Sequence, residues 1–343
     1  MAKNTVVRDF IGIDLGSVNT MIYVAGLGVI FNEPTVIVFD RESNEVVAVG
    51  EVAYKMIGKT HEKLRVVYPI KNGVVVDDVA LMAFFIYIFD KVKIADLISE
   101  MRVMVPTHPE ASKVDLDTLQ NVLERVGFTK IYFENKLKIG ALGSGIDIYK
   151  ANGSFIIDLG GESVSFGVVS LGDVVVSKSI PLGGRNIDHA IVRYIREKYN
   201  TLIHINDAEK IKWIASLYLV HENRVFDVSG LDLIEERPKQ IQVTTSELKY
   251  VLISILQEIV EAAKEVFGKT PPSLVADIMK SGIMLTGGTA LLEGIQEYIQ
   301  NSLGVETRVS RNPMLAMLEG TRLYEPHLLP YDDIKEDDEE EES

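Results

Sequence analysis

Ile13-Asp14-Leu15-Gly16-Ser17 and, 144 residues further on, Ile157-Asp158-Leu159-Gly160-Gly161 decide the reading of this chain. Each is an apolar run that ends in aspartate and passes through Leu-Gly into small or polar residues. The same shift, with no gap, lays Val24 on Val168, Leu27 on Leu171 and Gly28 on Gly172. Clustering on Asp-Leu-Gly makes duplication of a strand–turn–strand unit a better reading than coincidence. Two similar lobes facing each other would enclose a cleft. In each loop, glycine lets the backbone turn tightly and bring N–H groups against an anion with no Cβ in the way. Ser17, Asn19 and Thr20 add hydroxyl and amide donors for phosphate oxygens. An aspartate beside such a loop would repel phosphate unless it holds a hydrated Mg²⁺ that bridges carboxylate and polyphosphate.

Working outward, strand and helix signals alternate, which is the pattern of an α/β protein. Residues 10–14 and 21–24 read as strands around a tight turn. A strand over 102–106, a helix with apolar Leu116, Leu119, Val122, Leu123 and Val126 stopped at Gly127, and a strand over 130–134 make a β-α-β unit. In the second half, residues 155–158, 163–170 and 173–180 read as a meander, with Leu171-Gly172-Asp173 turning its last hairpin. One helix is expected from near Asp188, another from a cap at Asp207 to about Leu217. The longest should begin at a Thr245/Ser246 cap, with Leu248, Val251, Leu252, Ile255, Leu256, Ile259, Ala263 and Val266 as its buried stripe.

A third glycine element, Leu285-Thr286-Gly287-Gly288-Thr289, reads as a buried strand running into a turn and a helix from Ala290, a setting suited to a ribose, a phosphate or a base. Its spacing is not the dinucleotide fingerprint. Gly-Lys-Thr occurs at 58–60 and 268–270, but Ala53 and Ala263 stand where a Gly-x-x-x-x-Gly-Lys-Ser/Thr phosphate loop needs its first glycine, so neither standard nucleotide fold is indicated.

Composition narrows the classes further. The 343 residues are 47% hydrophobic and 25% charged, an ordinary globular profile long enough for two domains. With no cysteine, disulfides, thiolate zinc sites and a cysteine nucleophile are excluded, and six histidines show no metal-ligand spacing. The longest apolar run, Val79 to Phe89, is about half the ~20 residues of a membrane span, and the first residues resemble no secretion signal. A cytoplasmic protein is expected. The net charge of −15 divides unevenly: residues 332–343 carry nine acids and one lysine, leaving −7 on the body. That acidic tail is expected to be disordered, as a solubilising brush or a docking tail. No basic nucleic-acid surface is visible.

These three motifs resemble the two phosphate loops and the adenosine motif of the actin, heat-shock-chaperone and sugar-kinase ATPases. The likeness is greatest to the MreB bacterial actins. Phe31-Asn32-Glu33-Pro34-Thr35-Val36, Val105-Pro106, Ile180-Pro181-Leu182-Gly183-Gly184 and Ala208-Glu209-Lys210-Ile211-Lys212 resemble MreB too, so the likeness spans about residues 9–325. The resemblance implies an actin-like α/β fold, with two duplicated lobes, each a mixed sheet flanked by helices, and a nucleotide cleft between them. It places one lobe at 1–33, 79–150 and 316–331 with a small subdomain at 34–78. The other lobe is 151–186 and 245–315, with its small subdomain at 187–244. It implies ATP or ADP with Mg²⁺, whose waters Asp14 and Asp158 would order. Ser17, Asn19, Thr20, Gly160 and Gly161 would hold phosphates. Gly287, Gly288 and Thr289 would flank the nucleoside, and Glu209 and Lys212, read as lying on an exposed helix face, would reach ribose or base.

The chain departs from that family where hydrolysis is performed. MreB proteins carry a glutamate that positions the attacking water. Anchoring on Leu142-Gly143-Ser144-Gly145 puts Lys136 at that place and Leu137 at the following proline. A protonated lysine neither orients water as an acceptor nor takes its proton. A shift of one or two residues would return Asn135 or Glu134. In the second loop, Gly160-Gly161-Glu162-Ser163-Val164-Ser165 stands for Gly-Gly-Gly-Thr-Thr-Glu, so Val164 replaces a hydroxyl of the water relay. Glu162 could supply a carboxylate or face solvent, and Ser163 remains as a hydroxyl. The expectation is a filament-forming, cell-shape or motility protein with slow residual ATPase activity, a specialised paralogue that assembles with itself or with other MreB copies. A small-molecule phosphotransferase of the same superfamily would need an aspartate base and insertions that are not seen. Residues 91–98, where some MreB proteins touch membrane, mix two lysines with apolar residues and read either as a peripheral contact or as a buried helix end.

Overall fold

The computed structural model describes residues 9–59, 62–215 and 223–324. They form two compact units, one comprising the chain up to Asp147 together with the segment from Leu315, the other Ile148–Met314. In the first unit, Phe10–Leu15, Asn19–Val24 and Gly28–Pro34 form an antiparallel meander. Arg102–Thr107 and then Lys130–Asn135 add to its first strand in parallel. In the second, Ser154–Leu159, Val164–Ser170 and Asp173–Ile180 form the meander, and Ile283–Thr286 and Thr307–Val309 add in parallel. The order of the two sheets is the same. Register repeats as well: Asp14 faces Met21 and Leu15 faces Thr20, while Asp158 faces Ser165 and Leu159 faces Val164. The duplication seen in a few residues therefore extends through each sheet.

Alternation of side chains along the strands builds the cores. Ile11, Ile13, Ile22 and Val24 pack with Phe84, Phe85 and Phe89 of the Asp78–Lys91 helix and Leu119 and Leu123 of the Lys113–Val126 helix. Phe155, Ile157, Leu159, Val164, Phe166 and Val168 pack with Ile187, Ile191 and Ile195 of Gly184–Tyr199 and with Leu248, Leu252 and Leu256 of Thr245–Lys269. Asp14 and Asp158 have the opposite strand parity and leave those cores. The hairpin turn at Leu171-Gly172 has φ of +54° and +85°, the left-handed pair a tight two-residue turn requires.

Local signals moved some boundaries. The helix expected near Asp188 begins at Gly184, because Asn186 accepts the Gly183 N–H and closes the first turn. The next helix is Ile205–Ile214, capped by His204 rather than Asp207, and Leu217 lies outside the described residues. The longest helix is capped by Thr244, whose side chain and that of Glu247 exchange hydrogen bonds with each other's backbone. A four-residue 3₁₀ turn, Gly288–Leu291, takes the place of the helix expected from Ala290, and the α-helix starts only at Ile295.

Each unit also carries a separate small sheet. One has strands Ile37–Asp40, Val46–Val49 and Leu64–Val67. The other has Thr201–Leu202, Val225–Asp232 and Pro238–Thr244. The apolar run 79–89 is interior to the Asp78–Lys91 helix, and among the described residues no helix is long and apolar enough to cross a membrane. In 91–98, Ile94 and Ile98 are buried in the core. The acidic tail 332–343 lies outside the described residues.

Candidate functional site

Two loops of one design occupy matching places in the two units. Gly16 N–H donates to the Asn19 carbonyl at 3.1 Å, and Gly160 N–H to the Ser163 carbonyl at 3.0 Å, again 144 residues apart. The carbonyl of each glycine is tied back into the protein. Gly16 O accepts from Thr35 Oγ1 at 2.7 Å. Gly160 O accepts from Gly184 N–H at 3.1 Å and from Thr289 Oγ1 at 2.9 Å, and Gly161 O from Arg185 N–H at 2.8 Å. A trans peptide sets N–H opposite C=O. The N–H groups of Ser17, Gly161 and Glu162 therefore point away from those anchors, the arrangement of an anion nest.

Close approach needs glycine at a few positions. A Cβ at Gly183 would lie 2.6 Å from the Gly161 backbone. At Gly287, where φ is +83°, it would lie 2.7 Å from an Asp158 carboxylate oxygen. Asp158 is buried at the end of its strand, with Thr286 Oγ1 3.4 Å from that same oxygen. Asp14, its counterpart, is half-buried.

Several of the expected ligands already make hydrogen bonds within the protein. Thr20 is fully buried and its hydroxyl pairs with that of Thr35 at 2.8 Å, which in turn holds Gly16. It lies on the core-facing parity of its strand, so it supports the loop rather than presenting a hydroxyl. Ser17 Oγ accepts the Gly73 N–H at 2.9 Å and keeps its proton to donate. Asn19 Nδ2 donates to Asn32 Oδ1. Thr289 spends its hydroxyl proton on Gly160. Gly288 has open space at its Cβ position, with Met314 3.9 Å away.

Lys212 is not on an exposed face. It is buried, with its ammonium 2.9–3.0 Å from both Asp188 oxygens and 3.3 Å from the Gly184 carbonyl. Burial pushes the Asp188 carboxyl up to about 6 against the pull of Lys212, and half-buried Glu209 adds to the rise. Glu162 neither faces solvent nor stands alone, since it ion-pairs with Arg185 at 2.7 Å. Arg185 thus grips the second loop through both its backbone and its side chain. Asp188, Arg185, Thr35 and Gly73 were given no site role from the sequence, although Ala208, Ile211 and Ala215 on one helix face mark the buried stripe beside Lys212.

Val164 corrects a further expectation. It is fully buried among Leu159, Phe166 and Val168, on the same parity as Thr20. A threonine there would put its hydroxyl into the core, not on a reacting water. Val164→Thr should therefore add nothing to hydrolysis and should destabilise by about 1–3 kcal/mol. Thermal unfolding should show a drop of several degrees, and an unchanged melting temperature would mean the hydroxyl finds an acceptor.

Lys136 opens the Lys136–Gly143 helix, which is capped by Asn135. The preceding Glu134 is held by the Asn135 N–H, Lys138 and Tyr324, so its carboxylate is already engaged. Ser163 is buried at the end of the second loop. Among the described residues no three carboxylates or histidines gather to hold a metal by themselves.

Two units with the same meander-plus-two-parallel-strands sheet and the same glycine loop define an actin-like protein. The double helical filament of MamK shares the fold, with a TM-score of 0.76 at 17% identity over 92% of this chain and 98% of that one. A crystal structure of MreB 5 of Spiroplasma citri bound to AMPPNP matches with a TM-score of 0.89, 33% identity and coverage of 97% and 99%. The cell shape-determining protein Mbl of Bacillus subtilis (strain 168) is 34% identical over 312 residues, 91% of this chain and 94% of that protein. The MreB/Mbl protein family model matches residues 8–330. The chain belongs to the MreB/Mbl family.

Proposed function

We propose that this chain is an ATP-binding bacterial actin of the cytoskeleton that polymerises with itself, for cell shape or movement, and hydrolyses ATP slowly. The observation that carries the reading is the duplicated loop. Each loop aims peptide N–H groups away from tied-back carbonyls and follows a strand whose last residue but one is an aspartate, in a chain of a cell-shape family. In this reading Gly16, Ser17, Gly160 and Gly161 hold the phosphates, with Asn19 and Thr20 supporting the first loop. Gly287, Gly288, Thr289 and Glu209 line the nucleoside side, while Lys212 braces Asp188 and the Gly184 carbonyl. The nucleotide in Spiroplasma citri MreB 5 supports it. An aspartate beside each loop suits Mg²⁺, because this ion keeps most of its shell as water and phosphate oxygen. Asp14 and Asp158 would each order its waters, and the ion would neutralise charge on the phosphates.

The four-subdomain division, at the boundaries given from the sequence, is supported by the two separate small sheets. Longitudinal contacts would join the smaller subdomains of successive copies, and other MreB paralogues are candidate partners. The protein would work in the cytoplasm. Any peripheral membrane contact through 91–98 would use Lys91 and Lys93, since Ile94 and Ile98 are buried.

Sedimentation over a range of protein concentrations, with electron microscopy of the pellet, tests the reading. ATP and Mg²⁺ should produce filaments above a critical concentration. No pellet with any nucleotide at any concentration would refute it.

A further inference from the structure

The turn that begins the Lys136–Gly143 helix is fastened by groups that the proposed reaction does not use. Glu134 Oε2 lies 2.7 Å from Lys138 Nζ and 2.6 Å from the Tyr324 hydroxyl, while Oε1 accepts the Asn135 N–H at 2.8 Å. The Lys138 ammonium also sits over the Tyr324 ring, 4.9 Å from its centroid. The Lys138 and Glu134 side chains are only 13% and 20% exposed. Burial pushes the Lys138 ammonium down. Its hydrogen bonds to Glu134 and Tyr324 outweigh that and hold it above the usual lysine range.

Tyr324 comes from 190 residues away, at the end of the Ala316–Tyr324 helix. The same two helices meet more closely further along. A Cβ at Gly143 would overlap the Ala316 carbonyl, and one at Gly320 would overlap the Ile139 carbonyl. The helix that starts with Lys136 is thus attached at both ends to the Ala316–Tyr324 helix. Strand parity agrees: Ile131 and Phe133 face the main core, while Tyr132 packs beside Tyr324 and Ile139, the side to which Glu134 also turns.

We infer that Tyr324 is a positioning residue for the hydrolytic step. Through Glu134 and Lys138 it fixes the turn that presents residue 136. This rests on the reading of Lys136 as the occupant of the water-positioning place. Charge-assisted hydrogen bonds in a half-buried setting are the strong kind, and three converge on one carboxylate. Removing the hydroxyl alone frees one of them without disturbing the glycine-lined contact between the helices.

Tyr324→Phe in the full chain tests this by keeping the ring and deleting only the oxygen. Hydrogen–deuterium exchange of the amides of residues 136–141 should speed up at least threefold, with exchange in the strand Ser154–Leu159 unchanged as an internal reference. A second arm adds Tyr324→Phe to Lys136→Glu. Phosphate release at saturating ATP should fall at least threefold while ATP affinity stays the same, a split that general loss of structure does not produce. Unchanged exchange at 136–141 overturns the proposal. So does a release rate in the Lys136→Glu chain that is indifferent to Tyr324→Phe. Should Lys136→Glu itself gain no phosphate release, the reading of Lys136 fails, and the exchange measurement still decides whether Tyr324 holds the turn.

Discussion

Lys136→Glu should release phosphate from ATP at least tenfold faster than the unchanged chain, at saturating ATP and equal polymer mass. General-base assistance contributes about 10²–10⁴-fold, so partial restoration is enough to measure. The effect is expected because a lysine at the start of the Asn135-capped helix can attract phosphate but cannot accept a proton from water. The two other carboxylates that could replace it are committed elsewhere. Glu134 accepts from three donors, and Glu162 is paired with Arg185. Glu134→Ala and Glu162→Ala should therefore not abolish the slow turnover of the unchanged chain. If Lys136→Glu does little and either alanine variant abolishes turnover, the chain is a rearranged ATPase rather than a weakened one.

Asp14→Ala and Asp158→Ala should each lose Mg²⁺-dependent ATP affinity by about 10–100-fold, the range for groups that act on a metal from its outer shell. The motive is their matched register, opposite Met21 and Ser165, on the strand faces turned away from the two cores. Isothermal titration with and without Mg²⁺ separates this from general damage, because without the ion the variants should bind ATP much as the unchanged chain does. Wild-type affinity in Mg²⁺ for both variants would remove the aspartates from the site.

Much of the fold was legible because the duplication leaves identical residues where backbone geometry is most demanding. Asp-Leu-Gly marks the strand end and the Gly16 and Gly160 turns, and Gly28 and Gly172 both adopt left-handed φ. Strand and helix identities followed from periodicity. Boundaries failed where a side chain outside the pattern made the cap, as Asn186 and His204 do.

The site was legible as motifs and less so as roles. Thr20 and Val164 follow a tempting glycine loop, yet strand alternation turns both toward the core. That parity was readable from Ile22 and Phe166 two residues on. Lys212 was readable too, since it shares a helix face with Ala208 and Ala215. What no local pattern carries is pairing across long separations. Asp188 meets Lys212 from a different helix, and Tyr324 meets Glu134 from the far end of the chain.

In this protein ATP should drive assembly while its hydrolysis lags. The most direct test follows pelletable polymer and released phosphate in the same sample after ATP and Mg²⁺ are added. Polymer should reach its plateau well before one phosphate per polymerised subunit has been released, and Lys136→Glu should close the gap. Phosphate release that keeps pace with assembly in the unchanged chain, or release without any polymer, would contradict it.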